Sequence, residues 1–322
     1  MPKIDIELLE QFTPMFFDFE GRFVHLLGSA GSAKSYHACM YLLHIMLKHK
    51  NTQALMVRRL EKDIRESIWG QCQKIAHKVG LEKYFRFYRN PLAIECKASN
   101  SRAIAVGCDN IVNLKSVAEA TFALIDEADL IKAEDFDMIV GRVRSKFADL
   151  RQIVLCYNPP VRQHWLPQRF FQGGKIMPEF NKPYYFSQPY TNPFTNKTEH
   201  LHSMAIRTHY RNNIHLDAET AGYYQSLKET NPEMYISLDR AEWGDNAIGI
   251  IFNKKYYDEK QAPAGITGVI YCDPNIGLKE QADTTAIVKI GFDWNTETFY
   301  VVDAFCERVS DSTVTLDRAM EK

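Results

Sequence analysis

Eight consecutive residues, Gly28-Ser29-Ala30-Gly31-Ser32-Ala33-Lys34-Ser35, carry the clearest chemistry in this chain. They fit the phosphate-binding pattern GxxxxGK[ST] at every fixed position except 33, where alanine stands in place of the second glycine. In such a loop the backbone N–H groups wrap the phosphates and the following helix adds positive potential. Lys34 neutralises β/γ oxygens and Ser35 can hold Mg²⁺, which makes a nucleoside triphosphate with Mg²⁺ the expected ligand. Ala33 fits without strain if its φ is negative and is strained by roughly 1 kcal/mol or more if φ is positive; a negative φ is expected. Further along, Phe122-Ala123-Leu124-Ile125-Asp126-Glu127 is an apolar run ending in two acids. Asp126 there can hold Mg²⁺ through water, and Glu127 can orient and deprotonate an attacking water. Each segment alone has a plainer explanation, a small-residue turn or a strand entering a turn. Together they point to nucleotide hydrolysis.

These residues need strands and helices to hold them. Phe23 to Leu27 is a short apolar run before the loop, and from Tyr36 to Leu47 apolar residues recur at helical spacing. Ala54 to Val57 repeats the strand signal, ends in Arg58-Arg59 beside the expected nucleotide, and leads into a helical pattern from about Leu60 to Lys78. Phe122 to Ile125 and Ile153 to Cys156 are two more strand-length runs, the latter followed by Tyr157-Asn158-Pro159-Pro160. Buried parallel strands with functional residues at their C-terminal ends fit this alternation. The fold class expected is α/β, with a mainly parallel sheet flanked by helices. Residues 173–202, rich in Pro, Asn, Gly and aromatics, read as an irregular surface excursion, and Ala218 to Met234 as helix. After Trp243-Gly244-Asp245-Asn246 come three β-like runs, Thr267 to Cys272, Thr284 to Ile290 and Thr298 to Val302, with a tight turn at Asn295-Thr296-Glu297. This divides the chain into residues 1–245, with a lid or linker part over about 173–245, and residues 246–322.

Bulk properties exclude several classes. Among the 322 residues, 45% hydrophobic and 25% charged, there is no apolar run of membrane-spanning length, and the N-terminus lacks a secretion pattern. A protein of the cytoplasm, with no membrane partner, is expected. Seven widely spaced cysteines without a CxxC suggest neither a disulfide framework nor a zinc site. The net charge of −1 gives no global pull on nucleic acid, so phosphate contact has to come from a local surface. Residues 142–182 offer one, with eight basic residues against two acids.

Further blocks are specific in combination. Ala54-Leu55-Met56-Val57-Arg58-Arg59 with Ile64-Arg65-Glu66-Ser67, Val106-Gly107-Cys108-Asp109 with Leu114-Lys115-Ser116, and Cys156-Tyr157-Asn158-Pro159-Pro160 with His164-Trp165 join the two acid-and-loop segments. Thr208-His209-Tyr210-Arg211-Asn212-Asn213 and Ala241-Glu242-Trp243-Gly244 complete the set. Over most of its length the chain resembles the terminase large subunits of tailed phages, the ATPase and nuclease subunits of DNA-packaging motors.

The resemblance implies a P-loop NTPase domain that moves double-stranded DNA into a procapsid in the cytoplasm of the bacterial host. Implied partners are the portal protein, the terminase small subunit and other copies of the chain in a ring on the portal, with a monomer in isolation. By the same resemblance Asn158 senses loss of the γ-phosphate, although capping a turn before Pro159 is an equal alternative for it. Arg142 and Arg144 are candidates for an arginine finger reaching a neighbour's nucleotide, or else a solvated helix face. Arg58 and Arg59 are weaker candidates for nucleotide contact. The last 77 or so residues resemble the opening of an RNase H-like nuclease, a three-stranded antiparallel meander followed by a helix over Ser312 to Met320. Asp273 and Asp283 resemble its first metal-binding carboxylates for Mg²⁺ or Mn²⁺, and Asp303 reads as a strand-end acid facing solvent. Two carboxylates fall short of a two-metal site, so no DNA cleavage is expected of these 322 residues. A nucleotide-dependent assembly module without efficient turnover, and a helicase-like repair ATPase, are the competing readings.

Overall fold

Phe23–Gly28 forms a strand (β1) that is buried at every position, as a strand covered on both faces has to be. The computed structural model describes residues 6–109, 119–144, 150–244, 262–263, 266–273 and 285–307. A short helix α1 (Thr13–Phe17) precedes β1, and α2 (Lys34–Lys48) follows the loop. Next come β2 (Gln53–Arg58), α3 (Glu61–Ile64), a π-helical turn over Arg65–Trp69, and α4 (Gly70–Lys78). The helical pattern from Leu60 to Lys78 is thus interrupted by one wide turn.

Three strands then add to one side of the sheet: β3 (Phe85–Arg89), β4 (Leu92–Cys96) and β5 (Ser101–Gly107). The chain continues through β6 (Phe122–Asp126), α5 (Ala133–Arg142), β7 (Gln152–Tyr157) and α6 (Trp165–Phe170). β8 (Pro183–Thr191) and β9 (Thr198–Thr208) close the sheet, and α7 (Ala218–Thr230) follows. The order across the nine strands is β3-β4-β5-β2-β6-β7-β1-β9-β8. From β5 to β9 all neighbours are parallel, and the antiparallel pairs lie at the two edges.

Alternation along the strands sorts side chains onto two faces. Val24, Leu26, Ala54, Met56, Phe122, Leu124, Val154 and Cys156 pack with α1, α2 and α4. Phe23, Leu27, Leu55, Val57, Ala123, Ile125, Ile153 and Leu155 pack with α5 and α6. The α/β expectation holds, with helices on both faces of a mainly parallel sheet.

The reading of residues 173–202 as an irregular excursion is corrected by the β8–β9 hairpin. β9 lies beside β1, from Phe23↔Ser203 to Gly28↔Thr208. β8 is an edge strand, where Pro183 and Pro189 cost none of the ladder bonds that a central strand needs. Those prolines are what made the segment read as loop.

The chain divides into two compact units, Met1–Ile250 and Ile251–Lys322. In the second unit β10 (Thr267–Asp273), β11 (Thr285–Asp293) and β12 (Thr298–Glu307) form an antiparallel meander. Asp293 shapes its tight turn, accepting hydrogen bonds from the Asn295 N–H and the Thr296 hydroxyl. Asp273 ends β10, but its side chain, the whole of Asp283 and the helix expected over 312–320 lie outside the described residues. Asp303 is exposed and sits opposite Lys289. Among the described residues no helix is long and apolar enough to cross a membrane.

Candidate active site

β1, β6 and β7 are neighbours and parallel, so their C-terminal ends meet at one edge of the sheet. That is where ligands bind in open α/β sheets. A cleft of about 370 Å³ opens there, lined by residues of the loop, of the Asp126-Glu127 corner and of the Tyr157-Asn158 strand end.

Lys34 begins α2 and its side chain folds back into the loop. Its Nζ donates to the carbonyls of Gly28 (3.0 Å) and Ser29 (2.7 Å), to Ser32 Oγ (3.3 Å) and to Asn158 Oδ1 (3.1 Å). All four acceptors are neutral. Burial lowers the Lys34 pKa to about 8, against the raising effect of Cys156, Asp126 and Asp129. Among the described residues no carboxylate touches this buried ammonium, and a phosphate arriving at a helix N-terminus would supply an anion in contact with it. The loop therefore fits a nucleotide triphosphate.

Asp126 faces the α2 side of the sheet, as alternation requires, and its Oδ1 accepts a 2.7 Å hydrogen bond from Ser35 Oγ. A hydroxyl and a carboxylate so placed are hard oxygen ligands of the kind Mg²⁺ takes. Arg58, at the end of neighbouring β2, forms an ion pair with Glu127 and has its Nε 3.7 Å from Asp126 Oδ2. That Nε is buried without a hydrogen-bond partner among the described residues. Glu127 itself is half exposed and has a left-handed backbone (φ 55, ψ 50), a conformation that a non-glycine residue keeps only where its surroundings demand it.

Ala33 corrects the expectation of a negative φ. Its φ is 64 and its ψ 18, and it is the residue from which α2 springs. Gly31 is also left-handed (φ 69), so the loop turns twice in a region that alanine enters at a cost of roughly 1 kcal/mol or more.

β9 supplies the loop's outer wall. Tyr210 N–H donates to Ser29 Oγ (2.7 Å), Thr208 Oγ1 to Ser32 Oγ (2.9 Å) and Asn213 Nδ2 to the Gly31 carbonyl (2.7 Å). A Cβ on Gly28 would collide with the Thr208 carbonyl. The sequence marked Thr208 to Asn213 as a motif without giving it this task; only the β9 pairing reveals it. Asp129 is a further cleft residue that the sequence did not single out, and burial raises its carboxyl pKa to about 6.

Other sequence candidates lie apart from the cleft. Arg142 ends α5, and the Arg144 N–H donates to the Ala120 carbonyl ahead of β6, at the opposite edge of the sheet. Arg59 is exposed. The Pro160 to Arg162 segment beyond Asn158 is bonded to Gly244, through Gly244 N–H to the Pro160 carbonyl and Arg162 N–H to the Gly244 carbonyl.

A family model described as phage terminase large subunit matches residues 21–239. The chain is 27% identical over 304 residues to the PBSX phage terminase large subunit of Bacillus subtilis strain 168, covering 92% of this chain and 66% of that protein. The large terminase of a thermophilic bacteriophage, solved in complex with ADP, has the same fold, with a TM-score of 0.53 at 13% identity over 97% of this chain and 71% of that one. The ATPase domain of a Thermus phage large terminase gives 0.51 at 12% identity, over 74% of this chain and 94% of that domain. With the Gly28–Ser35 loop, the Asp126-Glu127 strand end and Asn158 gathered at one sheet edge, and the family model spanning more than half its length, the chain belongs to the phage terminase large subunit family.

Proposed function

We propose that this chain hydrolyses ATP to move double-stranded DNA into a procapsid, with the portal protein, the terminase small subunit and further copies of itself as partners in the bacterial cytoplasm. The observation that carries the proposal is the buried Lys34 ammonium, held only by neutral oxygens among the described residues, set beside the Ser35–Asp126 pair and bonded to Asn158. The structure solved with ADP belongs to a protein of the same fold, which supports a nucleotide ligand.

Mg²⁺ held at Ser35 and Asp126 would offset charge on the β- and γ-phosphate oxygens. Lys34 exchanges its carbonyl acceptors for phosphate oxygens. Asn158 then loses its lysine partner, and its amide becomes free to read the γ-phosphate position, since an amide both donates and accepts. Glu127 takes the proton of the attacking water at its carboxylate, for which the ion pair with Arg58 has to open first. Because Asn158 leads into the Pro160 to Arg162 segment that holds Gly244, a change at the sensor is passed to the chain leaving the first unit.

The meander of β10, β11 and β12 is proposed as the opening of an RNase H-like nuclease, with Asp273 and Asp283 as metal ligands. The split at about residue 246 is proposed as the domain boundary. An Arg142 or Arg144 finger acts, in this proposal, only on a neighbouring copy, because both sit away from the cleft of their own chain.

The test is ATP turnover with and without double-stranded DNA. Lys34→Ala and Glu127→Gln should each fold and lose about 10²-fold or more in rate, one through charge compensation and the other through its base. Near wild-type turnover in both would place the site elsewhere. Tight ATP binding with no turnover in the wild-type chain would favour the assembly-module reading.

A further inference from the structure

Ala33 presents a problem that its neighbours solve. The residue before the loop lysine takes a left-handed conformation, which glycine enters freely and alanine does not. Something else has to hold that peptide. His37, one turn along α2, directs two donors at the single Ala33 carbonyl: its own backbone N–H at 3.1 Å and its ring Nδ1 at 2.9 Å. A carbonyl has two lone pairs and can take both.

The rest of the ring's surroundings fix its tautomer and its plane. Nε2 lies 3.2 Å from the Leu9 N–H, and a nitrogen that accepts a hydrogen bond carries no proton, so the proton sits on Nδ1 and points at Ala33. Phe12 stacks on the ring at 4.1 Å between centroids and 15° between planes. The imidazole is buried, 2% exposed. It is thus clamped by a short N-terminal segment and in turn clamps the loop.

The peptide geometry shows why this matters for binding. Ala33 C=O and Lys34 N–H belong to one planar trans peptide and point in opposite directions. Pinning the carbonyl towards His37 therefore aims the Lys34 N–H into the loop, where the phosphates would lie. We propose that His37 is a positioning residue for the nucleotide, holding by its ring the left-handed turn that a glycine at position 33 would adopt through its own backbone freedom. The inference rests on the nucleotide reading of the loop, and it adds a side chain that the GxxxxGK[ST] pattern does not contain.

The test is a double-mutant cycle on the full chain, with ATP and Mg²⁺ as the probe in calorimetry and steady-state turnover as a second readout. His37→Phe keeps the stack on Phe12 but removes the donor; it should weaken ATP binding about tenfold, the factor expected from an unsupported left-handed alanine. The loss should appear in KM, with kcat little changed. Adding Ala33→Gly should remove the dependence on the ring: the double variant should bind as tightly as Ala33→Gly alone, because glycine needs no support. A general tether of the N-terminal segment would not be rescued by a change at position 33. If His37→Phe does not fold, His37→Leu replaces it, since it likewise lacks the donor, and the same rescue by Ala33→Gly is required of it. Wild-type affinity in the histidine variant, or a double variant as weak as the single one, overturns the proposal. Unchanged ATP binding by Lys34→Ala would instead overturn the nucleotide reading beneath it.

Discussion

His25 lies in the middle of β1 with no exposed surface. Its Nδ1 is 3.2 Å from the Tyr157 hydroxyl, and the rings of Phe170, Phe171 and Phe186 lie 4.5, 5.4 and 5.8 Å away. Its Nε2 has no hydrogen-bond partner among the described residues. Burial lowers its pKa from 6.5 to about 3. The folded chain thus keeps this ring neutral at pH values where the unfolded chain protonates it. Stability is then complete above about pH 6.5 and falls as protons bind the unfolded state, the fall ending near the folded value. Between about pH 7.5 and about pH 5 the unfolded form gains about 1.5 pH units of proton binding at this site, or about 2 kcal/mol. His25→Phe keeps a ring of similar size and removes the titration. It also strips the Tyr157 hydroxyl of its partner, a cost that is the same at both pH values and cancels when they are compared within one variant. Urea unfolding followed by the fluorescence of Trp69, Trp165 and Trp243, all in the first unit, reads the difference. The wild-type chain should lose about 2 kcal/mol more than His25→Phe over that interval. Equal losses in the two proteins would mean that His25 is not held neutral, and the reasoning would fail.

The two arginines at the end of β2 should separate cleanly. Arg58→Ala leaves Asp126 and Glu127 without the cation between them, so ATP affinity should fall about tenfold, whereas the exposed Arg59→Ala should stay within about twofold; similar effects at both sites would refute the assignment. In a plasmid-nicking assay at millimolar Mn²⁺ or Mg²⁺, a polypeptide of these 322 residues should not cut DNA, because Asp273 and Asp283 are too few for a two-metal centre. Cutting that disappears in Asp273→Ala would show that a working metal site exists.

Much of the proposed nucleotide site was legible because its residues are local in sequence. The loop from Gly28 to Ser35 is contiguous, and Asp126 and Glu127 end an apolar run whose burial follows from its composition. What sequence could not show was set by non-local pairing. The β8–β9 hairpin reads as loop because its outer strand carries two prolines and an exposed face, and both are permitted by its place at the sheet edge. The task of Thr208 and Tyr210 is invisible until β9 is known to lie beside β1. The sign of φ at Ala33 is a different kind of miss. Steric preference argues for a negative value, but two hydrogen bonds from His37 to one carbonyl hold the opposite conformation. Arg58 was legible as a strand-end cation, while its pairing with Glu127 depends on β2 lying next to β6.

The placement of β1 between β7 and β9 also governs when the site can come into being. The hydrogen bond from Thr208 to Ser32 joins positions 176 residues apart, and that from Tyr210 to Ser29 joins positions 181 apart. At translation rates of about 5–20 residues per second, the phosphate loop leaves the ribosome roughly 10–40 s before the strand that completes its wall. During that interval β1 is an apolar strand with an unpaired edge, the kind of segment that invites wrong partners or a chaperone. Closure over so long a loop places this fold among the slower topologies. A nascent chain that stops short of Asn213 would therefore carry the whole phosphate motif without the hydrogen bonds from Thr208, Tyr210 and Asn213 that brace its loop.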